Sequence, residues 1–329
     1  MTESATATLP LIAIMIGDPA GIGPEVCVKA LASGELAGLC RPLLIGDMGV
    51  VKRAAEVCGV TLALQPVTTA DEAVANHHAV AVLDPGGFAV SACPFGVASL
   101  TAGEAVLNWV ELGATLGSSG RIAGLVMGPL HSESIKLTGR ITDIDELQPA
   151  GTFMLRISGR LRVVPLTEHL PLADAIGLVT PDAVYKVIEL LHDNLVRWGL
   201  PHPRIAVAGI NPHAMFAQDR EQLLPAVEQA QRQGIDVSGP ISPDSVFRMT
   251  LEGQYDAVVS MYHDQGQIAV KTSSFIGACT VYLGLPYVML NVPHGTAFDI
   301  AGTGVAQHQS MLAAIKMAAN MASGNGVLG

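Results

Sequence analysis

Short, continuously apolar runs alternate along this chain with longer stretches of helical periodicity. The runs are 11–16 (LIAIMI), 42–46 (PLLIG), 79–84 (AVAVLD), 122–128 (IAGLVMG), 161–166 (LRVVPL), 204–210 (RIAVAGI), 256–262 (DAVVSMY) and 287–292 (YVMLNV). Amphipathic helices are predicted between several of them, at 101–117, 182–199 and 221–234. A strand apolar at every position has no face left for water, which is the condition of a parallel strand covered by helices on both sides. The alternation therefore predicts an α/β protein with largely parallel sheets. Neither internal repeats nor a long linker interrupts it, so any division into lobes is intimate. Pro and Gly cluster at strand ends, as in GDPAGIGPE and LDPGGFAVSACPFG, and mark loops rather than domain boundaries.

Composition adds limits. With 329 residues, 50% of them hydrophobic, the chain has enough core for two compact lobes. Lys and Arg number 18 against 29 Asp and Glu, a net charge of −11, with no basic block. A nucleic-acid or anionic-membrane surface needs clustered cations, so neither partner is expected. Five cysteines, an odd number without a C-x-x-C pair, argue against a disulfide framework or zinc knuckle and fit a reduced cytoplasm. The N-terminal stretch MTESATATLPLIAIMIGDP lacks the basic start and cleavage site of a signal peptide, and no run is long enough for a membrane span.

In open parallel sheets ligands gather beyond the carboxyl ends of the strands. Five of the ten histidines, His131, His169, His213, His263 and His294, follow an apolar run by a few residues. His77, His78 and His202 precede runs, His192 falls in a helix and His308 in a late loop or helix start. Each alone is an ordinary loop or capping residue. Three neutral imidazoles converging on one divalent cation, with a position left open for substrate, is the sharper reading, but spacing does not select the three. The GDPAGIGPEV stretch is a strand-to-helix turn with Pro24 near the helix start, and it lacks the G-x-G-x-x-G spacing of a dinucleotide fingerprint.

Taken together and in order, GDPAGIGPEV, TEHLPL (167–172), GINPHA (209–214), MYHDQG (261–266), LGLP (283–286) and PHGTAFDIAGTG (293–304) resemble the 4-hydroxythreonine-4-phosphate dehydrogenase family from about residue 11 to about residue 318. The resemblance implies an isocitrate/isopropylmalate dehydrogenase-like fold: two α/β/α lobes with a cleft between them that holds substrate, and a nicotinamide cofactor bound without a Rossmann motif. The lobes implied are 1–133 with 287–329, a discontinuous first lobe, and 134–286, a second lobe carrying the metal ligands and dimer contacts. His169, His213 and His263 fall on the family's ligands for one divalent metal, of which Zn, Co, Mn and Mg are all open. The family is a homodimer in which the third ligand comes from the partner chain, so the active site is shared and His263 is expected to reach into a neighbour's site.

The same resemblance implies a reaction. A secondary hydroxyl of a small hydroxy acid is oxidised by hydride transfer to NAD or NADP, and the β-keto acid loses carbon dioxide. Lys271 falls on a substrate-contacting lysine, and Lys271 and Asp264 are candidates to move protons. Asp264 is as well suited to orient a ligand imidazole, and Lys271 to pair with a substrate carboxylate. His294, Gly295, Thr296 and Asp299 correspond to an adenosine-binding loop; a plain Gly-rich turn is the alternative.

The resemblance fails around the substrate phosphate. The family's G-H-T-E segment falls on Arg140, Ile141, Thr142 and Asp143, an asparagine becomes Thr280, an arginine becomes Met289, and Ser132 stands in place of a lysine. Thr142, Asp143, Thr280 and Met289 are therefore the substrate-pocket candidates. Each lost charge-assisted hydrogen bond to phosphate is worth roughly 1.5–3 kcal/mol, so a changed, non-phosphorylated substrate is expected. The stretch IGACTVYLGLPYVMLNVPHG also resembles the dihydrodiol dicarboxylate dehydrogenases of aromatic-acid degradation, and an apolar Ile141 and Met289 would suit a ring. The competing classes are the family's own phosphorylated substrate in vitamin B6 synthesis, a phosphotransacetylase-like acyltransferase, and a non-catalytic binder.

Overall fold

The computed structural model describes residues 9–75, 79–273 and 278–326. His77 and His78, and the Ile276 and Gly277 that open IGACTVYLGLP, lie outside the described residues. In chain order the elements are β1 (Leu11–Met15), α1 (Gly23–Ala32), β2 (Arg41–Ile45), α2 (Met48–Cys58), β3 (Leu64–Val67), α3 (Ala70–Ala75), β4 (Val80–Leu83), α4 (Leu100–Ser118), β5 (Gly124–Met127) and α5 (Ser132–Lys136). There follow β6 (Phe153–Ser158), β7 (Leu161–Pro165), α6 (Leu172–Gly177), α7 (Pro181–Arg197), β8 (Ile205–Ala208), α8 (Leu224–Arg232), β9 (Val237–Ile241), α9 (Val246–Leu251), β10 (Ala257–Ser260), α10 (His263–Ser273), β11 (Cys279–Leu283), β12 (Val288–Asn291) and α11 (Gln309–Ala322). The described residues form two compact units, one within 9–149 with 286–323 and one within 150–285 with 324–326.

The first unit has strand order β3-β4-β2-β1-β5-β12, and every pairing in it is parallel. Its centre is β1, whose Ile12, Ala13, Ile14 and Met15 are wholly inaccessible; a strand covered on both faces tolerates no polar side chain. The chain leaves β1 toward β2 on one side and later returns to β5 on the other. The gap between the carboxyl ends of β1 and β5 is therefore the point where the winding reverses, where α/β sheets form their ligand crevice. Helix starts are capped by side chains the sequence supplies, Asp47 accepting from Val50 N for α2 and Ser99 from Ala102 N for α4, each worth about 1 kcal/mol.

The second unit has order β11-β6-β7-β10-β8-β9. The β7, β10, β8 and β9 pairings are parallel, while β6 pairs antiparallel with both β7 and β11. Its core packs Leu161, Val163, Ala206, Val258 and Val270, from β7, β8, β10 and α10. The helix expected at 221–234 is divided: a π-type turn at Asp219–Leu223 precedes α8, which begins at Leu224 with Pro225 in its first turn. Proline has no N–H to give an i−4 carbonyl, so the regular ladder starts with it rather than running through it. No helix among the described residues is long and apolar enough to cross a membrane. All five cysteines are free, and burial pushes the Cys27 and Cys279 thiols up to about 12 and Cys40 to about 11, which makes these three unreactive.

Candidate active site

In the second unit the adjacent parallel strands β7, β10 and β8 end in the loops that carry His169, His263 and His213. The first two loops are laced together: Leu166 N donates to Ser260 O at 2.8 Å, and the Thr167 hydroxyl to Met261 O at 3.1 Å. The His169 and His263 rings lie 4.9 Å apart at 56°, and with Glu168 they bring three ligand-type atoms within 4.8 Å of one another. Glu168 is already engaged. The Arg156 guanidinium, 8% exposed, grips its carboxylate with two bonds, one of them 2.9 Å. Both imidazoles line a cavity of about 340 Å³, together with Leu170 and Leu172.

His263 Nδ1 lies 2.7 Å from Asp264 Oδ1. A carboxylate accepts only, so a neutral ring places its proton on Nδ1 and turns the Nε2 lone pair outward, the tautomer a metal ligand needs. The rest of H-D-Q-G is structural. Gln265 Oε1 accepts from Met261 N at 2.7 Å and its Nε2 donates to Gly209 O at 2.8 Å, bracing the β10 exit against the β8 exit. A Cβ on Gly266 would lie 2.7 Å from Ser260 Oγ and 2.9 Å from Val163, so only glycine lets α10 approach β7 this closely.

His213 is not part of that group. It is exposed, in a short turn after β8, with φ of 55° followed by 51° at Ala214. Left-handed non-glycine backbone costs of order 1–3 kcal/mol and persists where its surroundings impose it. Here the imposing residue is Asp219, wholly buried, whose carboxylate accepts from Ile210 N (2.8 Å), Asn211 N (3.3 Å), Asn211 Nδ2 (3.1 Å) and Phe216 N (3.2 Å). Sequence reading missed Asp219, Gln265 and Arg156. Asp219 sits six residues past His213 in MFAQDREQ, where an acid reads as surface. Within one chain, then, His263 stands beside His169, and His213 is the imidazole that stands apart.

The substrate candidates scatter. Lys271 is exposed on the last turn of α10, about 12 Å of helix rise beyond His263, and makes no hydrogen bond or ion pair among the described residues. Thr280 lies opposite Arg156 in the β11/β6 register and so shares its face of the sheet. Met289 is 1% exposed, its sulfur 3.8 Å from the Tyr287 hydroxyl, which makes it a core residue rather than a lining one. Thr142 and Asp143 are exposed; the Thr142 hydroxyl and N–H and the Asp143 N–H all donate to Glu146 Oε1, at 2.6, 2.8 and 3.0 Å. Arg140 bonds Glu104 (3.1 Å), Asn108 (2.9 Å) and Glu111, all on α4. Lys136 faces Asp143 at 3.7 Å. The segment that aligns with a phosphate site has its cations committed to carboxylates.

In the first unit the PHGTAFDIAGTG loop follows β12 and is bound down to α1. Ile22 N donates to Thr296 O at 3.0 Å, and the buried Glu25 carboxylate accepts from Gly302 N (2.7 Å) and Gly304 N (3.0 Å). The Lys29 ammonium, one turn further, donates to Gly304 O and Ala306 O. Thr296 is buried, Gly295 and Asp299 are exposed, and a Cβ on Gly295 would meet nothing within 4 Å. His294 Nδ1 lies 3.1 Å from Gly295 O, while its Nε2 is buried without a partner. An open glycine beside an orphaned buried donor or acceptor, on a clamped loop at the strand ends, fits a polar ligand such as a dinucleotide. His131, after β5, stacks on Phe298 of the same loop, centroids 4.0 Å apart and planes 13° off parallel.

The family model described as pyridoxal phosphate biosynthetic protein PdxA matches residues 38–318. A putative 4-hydroxythreonine-4-phosphate dehydrogenase from Novosphingobium aromaticivorans is 40% identical over 326 residues, covering 99% of each chain. A crystal structure of a 4-hydroxythreonine-4-phosphate dehydrogenase from Burkholderia phymatum superposes with a TM-score of 0.84 at 36% identity, over 95% of this chain and 98% of that one. A terephthalate 1,2-cis-dihydrodiol dehydrogenase from Burkholderia xenovorans LB400 superposes with a TM-score of 0.72 at 28% identity, over 94% and 98%. The expected isocitrate/isopropylmalate dehydrogenase-like α/β fold is present, and the chain belongs to the PdxA family of dehydrogenases, oxidoreductases that act on a CH–OH group.

Proposed function

We propose that the chain is an NAD(P)- and divalent-metal-dependent dehydrogenase that oxidises a secondary hydroxyl of a small hydroxy acid with decarboxylation, working in the cytoplasm as a homodimer. The observation that carries this reading is the His169–His263 pair with Asp264 behind it. His169 and His263 would hold the metal, and His213, which stands apart in its own chain, would be the imidazole given to a partner's site. A divalent metal so held supplies Lewis acidity toward the substrate hydroxyl and the carbonyl oxygen it becomes, and NAD or NADP accepts the hydride. Asp264 keeps the proton on His263 Nδ1. His294, Gly295, Thr296 and Asp299 would position the dinucleotide, and Lys271 would exchange the proton of the hydroxyl or pair with a carboxylate of the substrate.

The substrate is proposed to lack phosphate, a cis-dihydrodiol dicarboxylate being the model. Support comes from the commitment of Arg140 to Glu104 and Glu111 and of Thr142 to Glu146, from Thr280 in place of the family's asparagine, and from the likeness to the terephthalate dihydrodiol enzyme. The 40% identity to a relative named for 4-hydroxythreonine 4-phosphate favours the second reading, a phosphorylated substrate. Steady-state kinetics with NAD and NADP over a set of diol acids and phosphorylated hydroxy acids separates the two. Turnover of 4-phosphohydroxythreonine with kcat/KM of about 10⁴ M⁻¹s⁻¹ or more would rule out the non-phosphorylated assignment.

A further inference from the structure

The winding of the first unit's sheet reverses between β1 and β5, and the two loops leaving those strands are joined there, Asp18 N donating to Pro129 O at 2.9 Å. A Cβ on Gly17, whose φ is 79°, would lie 2.5 Å from the same Pro129 oxygen, so the junction admits only glycine. It gathers three polar side chains that the dehydrogenase reading above leaves unused. Asp18 is wholly buried; its Oδ1 accepts from Ala20 N at 2.8 Å, and its Oδ2 is buried without a hydrogen-bond partner. Ser134, also wholly buried, sits beside both Asp18 and His131. Its N–H donates to His131 Nδ1 at 3.3 Å, with its hydroxyl oxygen 3.4 Å from the same nitrogen.

These contacts fix what the imidazole presents. With Nδ1 accepting from a backbone N–H, a neutral ring carries its hydrogen on Nε2. Among the described residues that nitrogen has no protein hydrogen-bond partner, and the ring is half-buried, held flat against Phe298 from the loop that carries His294 and Gly295. We propose that His131 is a ligand-touching residue of the dinucleotide site, its Nε2–H donating to an acceptor oxygen of the cofactor, with Ser134 and Asp18 as positioning residues. The inference rests on the dinucleotide reading given above. Two oxygens share the required chemistry, that of the nicotinamide carboxamide and those of the pyrophosphate.

Asp18 is the part that a purely structural account does not explain. Burial pushes its carboxyl above the usual range, against the opposing pull of the Ala20 N–H, the Ser134 hydroxyl and the His131 ring. Asparagine would fill the same volume and keep the Ala20 bond. A carboxyl there is useful because the Ser134 hydroxyl can turn its hydrogen either to Asp18 or to His131, so the carboxyl sets how firmly the ring is held. Group placement that lowers stability while serving a ligand is the usual trade at functional sites.

Calorimetric titration of the full chain, with Mg²⁺ present, by NAD⁺, NADP⁺ and ADP-ribose tests this. H131N keeps an acceptor for the Ser134 N–H, as asparagine caps helices well, but removes the Nε2–H. It is expected to melt within a few degrees of the parent and to bind the preferred dinucleotide about three- to tenfold more weakly, the usual effect of one hydrogen bond. D18N is expected to melt higher and also bind more weakly, a combination that loss of folding does not produce; it carries the test if H131N does not fold. Weakening confined to the dinucleotides assigns the carboxamide as acceptor, and equal weakening of ADP-ribose assigns the pyrophosphate. Parent-like binding by both variants overturns the role of His131 and leaves the dehydrogenase reading intact. No dinucleotide binding by the parent overturns the cofactor reading itself, and this inference with it.

Discussion

Two carboxylates, Asp18 in the first unit and Asp219 in the second, are both wholly buried just beyond the carboxyl end of a parallel strand, yet they are treated in opposite ways. Asp219 accepts four hydrogen bonds and shapes the strained turn that presents His213. Asp18 accepts one backbone N–H, and burial drives its pKa up against that bond and the pull of the Ser134 hydroxyl. A buried charge is tolerable when N–H groups surround it and destabilising when they do not. Asp219 is therefore an organiser of backbone, and Asp18 a group kept in spite of the fold.

The largest effect should come from D219A. Removing the acceptor strands three backbone N–H groups, so unfolding by urea should show a loss of about 3–5 kcal/mol, with the His213 turn relaxing to ordinary φ values. A loss under about 1 kcal/mol would mean that the turn holds itself, and the contrast with Asp18 would fall. Next in size is D264N, which leaves His263 Nδ1 beside an amide. Metal affinity measured by competition with a chelator should drop about 10- to 100-fold, with stability of the metal-free protein little changed; equal affinity would remove Asp264 from any orienting role.

The smallest effect sharpens the comparison most. For Asp18 the folded-state pKa is raised, so its contribution to stability is complete below its unfolded pKa and is lost as pH rises through the folded value. D18N should therefore gain about 0.5–2 kcal/mol over the parent at pH 7 to 8, and the gain should vanish on acidification toward pH 4. Calorimetric melting across that range checks it. A gain that grows as pH falls would reverse the sign and make Asp18 a paired carboxylate like Asp219.

Much of the architecture was legible before folding. All eight apolar runs read from the sequence are strands, because a parallel strand buried on both faces must be apolar throughout. Four strands were missed: β11 (CTVYL), whose apolar run is short, and three that escape the rule. The edge strands β3 (LQPV) and β9 (VSGPI) each carry a proline and a polar residue, while β6 buries Arg156 in an antiparallel pairing where its charge is matched by Glu168. The candidate site was legible to a different depth. Its imidazoles stand out because they follow strand ends and occur in recognisable motifs, whereas Asp219, Glu25 and Gln265 bond to backbone groups 3 to 279 residues away and have no local signature.

The sequence by itself determined the α/β class, the strand ends where polar chemistry collects, and a family resemblance that singled out His169, His213 and His263. Only the tertiary structure decided that His169 pairs with His263 while His213 stands off, that Arg140 is taken up by α4, that Met289 is core, and that Asp18, Ser134 and His131 meet. The reason is that periodicity records whether a residue is buried. Which hydrogen-bond donor meets which acceptor depends on strand order, and strand order is set by packing across the sheet.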